Sequence, residues 1–246
     1  MTGKTVAPGK SLRLFCLPYA GGSARLFQDW RYALPDFVEV CPVELPGRGT
    51  RFGELPYTRL EPLVDDVLDT LEEHLDEEGP GLPFALFGYS FGSAVAFEAA
   101  RRLEAAGRRP ACLAVAAFRS PGASPPRVKA SSLPDAEFRR LLRELGGTPR
   151  ELLENDAFME LMLPVIKADF SIAESYGHRS GPPLDCPIVA FGGEEDPLIG
   201  MAEVRTWSRH TAAGFSLRPI PGDHFFMHSH RELLLKELAT ELATHR

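Results

Sequence analysis

The predicted fold rests on one stretch, Phe-Ala-Leu-Phe-Gly-Tyr-Ser-Phe-Gly at residues 84–92. Its first four residues are an apolar run with the length and composition of a buried strand. From Phe91 onward, apolar residues recur at helical spacing. Between the two lies Ser90, flanked by Gly88 and Gly92 in a G-x-S-x-G motif. The pattern predicts a serine on a sharp turn between a strand and a helix, the arrangement called a nucleophile elbow.

The two glycines of this motif have a steric purpose. A nucleophile elbow holds its serine on a strained turn, where side chains in place of Gly88 and Gly92 would collide with the neighbouring strand or helix. The Ser90 hydroxyl would point into solvent above the sheet, and the Phe91 N–H could face a developing oxyanion. The alternative is a glycine-rich turn with an ordinary serine, so the prediction depends on partner residues elsewhere in the chain.

The composition is that of a globular protein. The 246 residues are 44% hydrophobic and 25% charged, which suits one large domain over residues 1–246. The net charge of −7, with no long basic run, argues against a nucleic-acid partner. No apolar run is long enough to span a membrane. Residues 1–10 resemble a short flexible leader without a secretion signal, so we expect a cytoplasmic protein that does not bind membranes.

The cysteines give no sign of a metal site. They are Cys16, Cys41, Cys112 and Cys186, and each lies in or beside an apolar, strand-like run. None has the spacing of metal ligands. We expect small buried hydrophobic residues in a reducing compartment, with no metal and no resident cofactor.

Strand-like and helix-like segments alternate along the chain. This alternation predicts an α/β protein with a mostly parallel, doubly wound sheet. The predicted strands span residues 11–17, 37–43, 84–87, 111–118, 187–191 and 215–220. The main predicted helices span residues 60–78, 91–107, 134–145, 156–176, 200–210 and 229–244, with one more after residue 23.

The first strand runs into a small, glycine-rich loop, Pro-Tyr-Ala-Gly-Gly-Ser at residues 18–23. In a hydrolase with a nucleophile elbow, the second oxyanion donor comes from a loop of this kind before the first helix. The donor would be the N–H of Tyr19 or Ala20. The alternative is a plain turn in which Ser23 caps the helix. In the loop after the second strand, Arg48 and Arg51 could bind an anionic group or tie the loop to its neighbours.

Residues 119–184 contain no convincing strand. We interpret them as a mostly helical insertion between two strands of the sheet, placed as a lid over the nucleophile. The alternative is that these helices only cover apolar sheet surface. Pro164 lies within the second helical pattern and should kink or split that helix. We expect Phe158 and Met162, on the apolar face of the same pattern, to line an acyl-binding channel.

A serine nucleophile needs a base in contact and a group that orients the base. In α/β-hydrolases these follow in the order serine, acid, histidine, each after a strand. Ser90, Asp196 and His224 fit this order, since the predicted strands before them end at Phe87, Phe191 and Ile220.

Other candidates fit less well. The remaining histidines lie on helical patterns, in the exit from the insertion or after the loop that carries His224. Asp185 precedes its strand, and Asp223 adjoins His224 too closely to reach its Nδ1 atom. Glu194 and Glu195 remain as alternatives to Asp196.

Five motifs together carry a family resemblance. They are L-P-Y-A-G-G-S-A (17–24), E-L-P-G-R-G-T-R-F (44–52), G-Y-S-F-G (88–92), G-G-E-E-D-P-L (192–198) and G-D-H-F-F (222–226). In this order the chain resembles the type II thioesterases, free-standing α/β-hydrolases that serve polyketide synthases and nonribosomal peptide synthetases. The match extends over residues 12–230. One departure is Tyr89, where the family usually has histidine.

The resemblance implies a substrate that the residues alone do not identify. Such enzymes hydrolyse acyl thioesters on the phosphopantetheine arm of acyl or peptidyl carrier proteins, and so clear aberrant acyl groups during antibiotic biosynthesis. Carried over by position, Ser90, Asp196 and His224 match the catalytic triad, and Phe91 and Ala20 match the oxyanion donors. The phosphopantetheine belongs to the substrate, and we expect a monomer.

Two other function classes remain open. The same triad would serve a carboxylester or lipid hydrolase, or an acyltransferase, because serine chemistry does not distinguish a leaving sulfur from oxygen. Turnover of an acyl-carrier thioester compared with a matched oxyester would separate these from the thioesterase. A non-catalytic binding module on the same fold is the third class, and an intact serine, aspartate and histidine argue against it.

Overall fold

The computed structural model describes residues 11–76, 82–123, 129–177 and 181–245. The predicted leader, residues 1–10, lies outside the described residues. Within them a six-stranded sheet has the order β2-β1-β3-β4-β5-β6, with every neighbouring pair parallel. The strands are β1 (Leu12–Leu17), β2 (Val38–Pro42), β3 (Phe84–Tyr89), β4 (Cys112–Ala116), β5 (Ile188–Gly193) and β6 (Phe215–Ile220).

The burial of the strands agrees with their parallel pairing. Strands β1, β3, β4 and β5 are buried at every position, whereas the edge strands β2 and β6 are only partly covered. Parallel sheets carry helices on both faces, so their inner strands need apolar residues on both sides. Each predicted strand corresponds to one of the six, and the predicted α/β class is confirmed.

Helices cover both faces of the sheet, and each face has its own hydrophobic cluster. Alternate side chains of β1 point to opposite faces of the sheet, so Phe15 packs in the first cluster and Leu14 in the second. Described α-helices are α1 (Leu60–Asp76), α2 (Phe91–Ala105), α3 (Asp135–Leu145), α4 (Arg150–Leu153), α5 (Asp156–Ser175), α6 (Met201–Arg205), α7 (Phe226–Ser229) and α8 (Arg231–Thr244). Short 3₁₀-helices span Ala24–Tyr32, Gly49–Arg51, Ala130–Ser132 and Thr206–His210.

Helices α1 and α2 contribute to the first cluster, and the helix Ala24–Tyr32 and α8 contribute to the second. The segment after β1 therefore forms a helix as predicted, but of the tighter 3₁₀ type. The region 200–210 begins as α6 and ends as a 3₁₀-helix, and the predicted helix 229–244 corresponds to α8, with the short helix α7 before it. Among the described helices, none has both the length and the apolar character needed to cross a membrane.

Between β4 and β5 the chain forms α3, α4 and α5, together with the helix Ala130–Ser132. These helices have a third hydrophobic cluster of their own, which includes Phe138, Leu153 and Met159. The sequence predicted that Pro164 would kink or split this helix. Helix α5 is continuous through Pro164, so it is not split. Pro164 and Glu160, whose carbonyl loses its helical partner, are both exposed, so water can satisfy that carbonyl.

Candidate active site

Ser90 lies on a strained turn between β3 and α2. Its backbone has φ 49° and ψ −121°, a positive-φ conformation that costs energy for a residue with a side chain. The turn is held in place because the Ser90 N–H donates to Ala116 O at 2.7 Å. The Ser93 hydroxyl also donates to Gly88 O at 2.7 Å. The first bond ties the turn to the end of β4 and the second joins α2 to β3, so Ser90 is presented at the carboxyl edge of the sheet.

The glycines flanking Ser90 have the predicted steric role. A Cβ atom on Gly88 would lie 2.3 Å from Gly92 O, and one on Gly92 would lie 2.4 Å from Leu17 O. Both obstacles are backbone atoms, which cannot move aside as a flexible side chain can. The elbow can therefore close only with glycine at both positions.

The structure brings Ser90, His224 and Asp196 together at hydrogen-bond distance. His224 Nε2 is 3.0 Å from Ser90 Oγ, and His224 Nδ1 is 2.8 Å from Asp196 Oδ2. The side chains of His224 and Asp196 are 9% and 1% exposed. In the tautomer that this arrangement favours, Nδ1–H donates to the carboxylate and Nε2 accepts the serine hydroxyl.

The Asp196 carboxylate is itself held in place. Its Oδ1 accepts hydrogen bonds from Leu198 N at 2.8 Å and Ile199 N at 3.1 Å, which leaves Oδ2 for the imidazole. The competing acids do not occupy this place. Glu194 and Glu195 are exposed, and Asp223 accepts a bond from Phe225 N at 2.8 Å.

Tyr89 is a part of the site that the sequence did not predict. Its hydroxyl donates to the carbonyl of His224 at 2.7 Å and accepts from Met227 N at 3.3 Å. Burial raises the pKa of the Tyr89 phenol well above its ordinary value of 10, so the hydroxyl stays protonated. The only signal in the sequence was the unusual residue beside the nucleophile, which gave no indication of its partner 135 residues away.

The loop after β1 lies beside the elbow, and Tyr19 and Ala20 both border the cavity at Ser90. The Gly22 N–H donates to Tyr19 O at 2.8 Å. The Gly21 N–H donates to Asp169 Oδ2 at 2.8 Å. At the other end of the elbow, the Phe91 N–H is among the first of α2, which have no partner within the helix.

A cavity of about 410 Å³ opens at Ser90 and His224. Residues of the inserted helices form a large part of its wall. Two charged side chains, Arg119 and Glu174, also border it, and both are buried. The apolar lining includes Phe118, Leu133, Leu141, Leu142, Phe170 and Ile199.

The predicted channel residues Phe158 and Met162 do not line this cavity. They pack instead in the cluster of the inserted helices, Met162 buried and Phe158 partly so. Helix α5 does reach the cavity, but with Phe170, Ala173 and Glu174 from its C-terminal half. The helical pattern identified an apolar face correctly but not the end of the helix that lies over Ser90.

Both arginines of the loop after β2 have carboxylate partners, as expected of residues that tie a loop to its neighbours. Arg51 is bonded to Glu54 and Asp66. Arg48 pairs with Asp169 of α5. The sequence left open whether these arginines bind an anionic group or tie the loop to its neighbours, and the structure shows the second.

The fold and the site geometry are those of an α/β-hydrolase with a serine–histidine–aspartate arrangement. The family model described as the thioesterase domain matches residues 12–242 of the chain. This match covers nearly the whole chain, which therefore belongs to the thioesterase family.

Individual proteins show the same relationship. The chain is 40% identical over 236 residues to the protein named linear gramicidin dehydrogenase LgrE from Brevibacillus parabrevis, covering 94% of this chain and 88% of LgrE. The solved structure of RedJ, a thioesterase of the prodiginine pathway in Streptomyces coelicolor, is 40% identical with a TM-score of 0.85, covering 94% of this chain and 86% of RedJ. That of BorB, a type II thioesterase of the borrelidin cluster, is 35% identical with a TM-score of 0.86, covering 98% and 96%.

Proposed function

We propose that this protein hydrolyses acyl thioesters carried on the phosphopantetheine arm of acyl or peptidyl carrier proteins, and so clears aberrant acyl groups from a polyketide or nonribosomal peptide synthase. One observation carries the proposal. In a chain of the thioesterase family, the hydrogen-bonded series Ser90, His224 and Asp196 opens into a mainly apolar cavity. A series of this kind activates a serine, and the cavity offers room for an acyl group.

In the first half of the reaction, Ser90 Oγ attacks the thioester carbonyl carbon while its proton passes to His224 Nε2. Asp196 holds the imidazole in the required tautomer and stabilises the imidazolium. When the tetrahedral intermediate collapses, the carbon–sulfur bond breaks and the histidine proton goes to the leaving thiolate. The acyl group remains on Ser90 as an ester, and the carrier leaves with a free thiol.

In the second half, His224 takes a proton from water as its oxygen attacks the ester carbonyl. Collapse of this second intermediate breaks the bond to Ser90 Oγ, which recovers its proton from His224. The acyl group leaves as a carboxylic acid. The N–H groups of Phe91 and Ala20 are the proposed donors to the oxyanion in both halves.

The cavity is the proposed acyl site. Its apolar wall favours hydrocarbon chains, because each buried methylene contributes about 0.8 kcal/mol of transfer free energy. The carrier protein is too large to enter a space of about 410 Å³, so only the acyl group and the end of the arm would enter. Tyr89 has a supporting role in the proposal, since its hydroxyl fixes the backbone of His224.

The decisive experiment is hydrolysis of a short acyl group loaded on a holo carrier protein. We expect release by the wild type and none by Ser90→Ala, with Ser208→Ala, a change at an exposed serine, as the matched control. If the wild type fails to release the acyl group but turns over p-nitrophenyl esters through Ser90, the protein is an ester hydrolase or an acyltransferase. The name of LgrE includes a dehydrogenase activity. We do not propose that activity for this chain, because a serine, a histidine and an aspartate meet at its site.

A further inference from the structure

A buried ion pair outside the proposed triad joins the core to the inserted helices. Arg48 lies in the loop after β2, and Asp169 lies in α5, 121 residues later. Their side chains are 3% and 2% exposed. The guanidinium meets the carboxylate with two bonds, Nη1 to Oδ2 at 2.5 Å and Nη2 to Oδ1 at 3.0 Å. Such a two-point contact fixes the orientation of the carboxylate as well as its position.

The same carboxylate has a third donor. The Gly21 N–H donates to Asp169 Oδ2 at 2.8 Å, and Gly21 directly follows Ala20, the proposed oxyanion donor. Helix α5 also closes on this loop sterically. Gly21 has φ +75°, and a Cβ atom there would lie 2.7 Å from Ile166 Cγ1. One helix therefore holds Gly21 by a hydrogen bond and leaves no room for a side chain.

These contacts determine the direction in which the Ala20 N–H points. In a trans peptide the N–H and the C=O point in opposite directions. The peptide between Tyr19 and Ala20 is fixed by the bond from Gly22 N to Tyr19 O. The next peptide, between Ala20 and Gly21, is fixed by Asp169. With both planes fixed, the Ala20 N–H keeps one orientation, which an oxyanion donor requires before the reaction begins.

We propose that Asp169, oriented by Arg48, is a positioning residue for the oxyanion hole. The inference rests on the proposed function, since it takes Ala20 as an oxyanion donor. It adds that the inserted region does more than cover the cavity. Because Asp169 belongs to α5, the oxyanion loop is complete only while that helix is seated against the core.

Two variants test this role. In Asp169→Asn the side chain keeps its shape but gains an NH₂ group. Whichever way the amide is turned, that donor faces either the Gly21 N–H or the Arg48 guanidinium, both of which are donors. Arg48→Lys leaves the carboxylate intact but replaces a two-point contact by a single ammonium, so Asp169 can turn away from Gly21.

Hydrolysis of p-nitrophenyl butyrate gives the first readout, because it requires Ser90 but no carrier protein. Loss of an oxyanion donor costs about 10²–10³-fold in kcat, and a misdirected one should cost less. We expect kcat to fall about 10–100-fold in Asp169→Asn and about 3–10-fold in Arg48→Lys, with little change in KM. A failure of the carrier thioester assay would leave this measurement unaffected.

Inhibition by butylboronic acid gives the second readout. The Ser90 oxygen bonds to boron while its proton passes to His224, and the resulting tetrahedral, negatively charged boronate places one of its hydroxyl oxygens in the oxyanion hole. We expect its affinity to weaken in step with kcat in both variants. The matched control is Tyr176→Phe, which removes a bond of 3.0 Å between the end of α5 and Glu98 without touching the oxyanion loop. It should be less stable to heat, because the Glu98 carboxylate loses a hydrogen-bond donor, but it should keep kcat and boronate affinity within about twofold, since the oxyanion loop is unchanged.

A folded Asp169→Asn or Arg48→Lys with wild-type kcat and boronate affinity would overturn the proposal. The same conclusion follows if Tyr176→Phe loses kcat and boronate affinity as the other two do, because the effect would then be general loosening of α5. If Asp169→Asn is not obtained as a folded protein, Arg48→Lys decides the question alone.

Discussion

The central sheet and the inserted helices are held by different kinds of interaction. Strands β3, β4 and β5 contain no charged residue, and every position in them is buried. The helices between β4 and β5 have only a small apolar cluster of their own. Their junction with the core combines apolar contacts, such as that of Ile172 with the first cluster, with charged and polar groups. Asp169 meets Arg48, and the Arg119 guanidinium donates to the carbonyls of Ala173 and Tyr176 at the end of α5.

This difference has consequences for function. Apolar burial stabilises without fixing direction, and the backbone ladder of the sheet supplies the direction. Ion pairs and hydrogen bonds are directional, so a few of them can determine the position and orientation of a helix on the core. Substitutions in the sheet region should therefore abolish the chemistry or destabilise the fold. Substitutions in the inserted region should alter selectivity or rate while the fold remains.

The largest effect is expected at the edge of the sheet, in Asp196→Asn. The amide would favour the wrong imidazole tautomer, so kcat should fall about 10⁴-fold with little change in KM. Steady-state hydrolysis of the thioester measures this. Asp223→Asn is the matched control, because that carboxylate bonds to Phe225 N and lies in the same loop as His224. Equal losses in the two variants would contradict the assignment of Asp196.

Gly92→Ala tests the elbow that the sheet supports. The new Cβ would lie 2.4 Å from Leu17 O, so the turn must shift. We expect a loss of about 3 kcal/mol in the free energy of unfolding. A displaced serine should also lower kcat about 10²-fold. Urea denaturation and thioester hydrolysis measure the two effects. Gly53→Ala, with no atom within 4 Å of the new Cβ, should behave as wild type. A wild-type Gly92→Ala would show that the elbow tolerates a side chain.

Leu141→Trp tests the inserted region. Leu141 borders the cavity, so a larger side chain should shorten the acyl chain that fits. We expect the ratio of kcat/KM for octanoyl over acetyl thioesters to fall about 10-fold, the effect of one or two methylenes that no longer fit. Phe158→Trp is the matched control, because Phe158 packs in the cluster of the inserted helices outside the cavity. A shift in Phe158→Trp without one in Leu141→Trp would restore the channel predicted from sequence.

Tyr89→Phe should give the smallest effect. The ring stays in the core, but the His224 carbonyl and the Met227 N–H lose the hydroxyl between them. We expect kcat to fall about fivefold, equivalent to about 1 kcal/mol for one hydrogen bond. Tyr57→Phe, at a half-buried tyrosine on the other side of the sheet, is the control. An unchanged kcat in Tyr89→Phe would mean that other contacts suffice to hold the His224 backbone.

Much of the fold was predictable because it depends on local patterns. A continuous apolar run followed by helical spacing identified β3 and α2, and the glycines around Ser90 fixed the turn between them. The order of serine, aspartate and histidine after three strands brought their side chains to one edge, because parallel strands end together. Helix α5 was also visible, although its exposed Pro164 could not be distinguished in advance from one that breaks a helix.

The sequence by itself determined the sheet, the elbow and the residues that meet there, since each follows from short-range periodicity and from the geometry of parallel strands. Only the tertiary structure decided how the inserted helices sit. Their apolar residues occupy a broad face, and periodicity cannot tell which end of that face lies over Ser90, so Phe158 and Met162 were chosen where Phe170 and Ala173 border the cavity. The partners of Arg48 and Tyr89 were likewise hidden, because each lies more than 100 residues away, a separation at which only packing brings groups together.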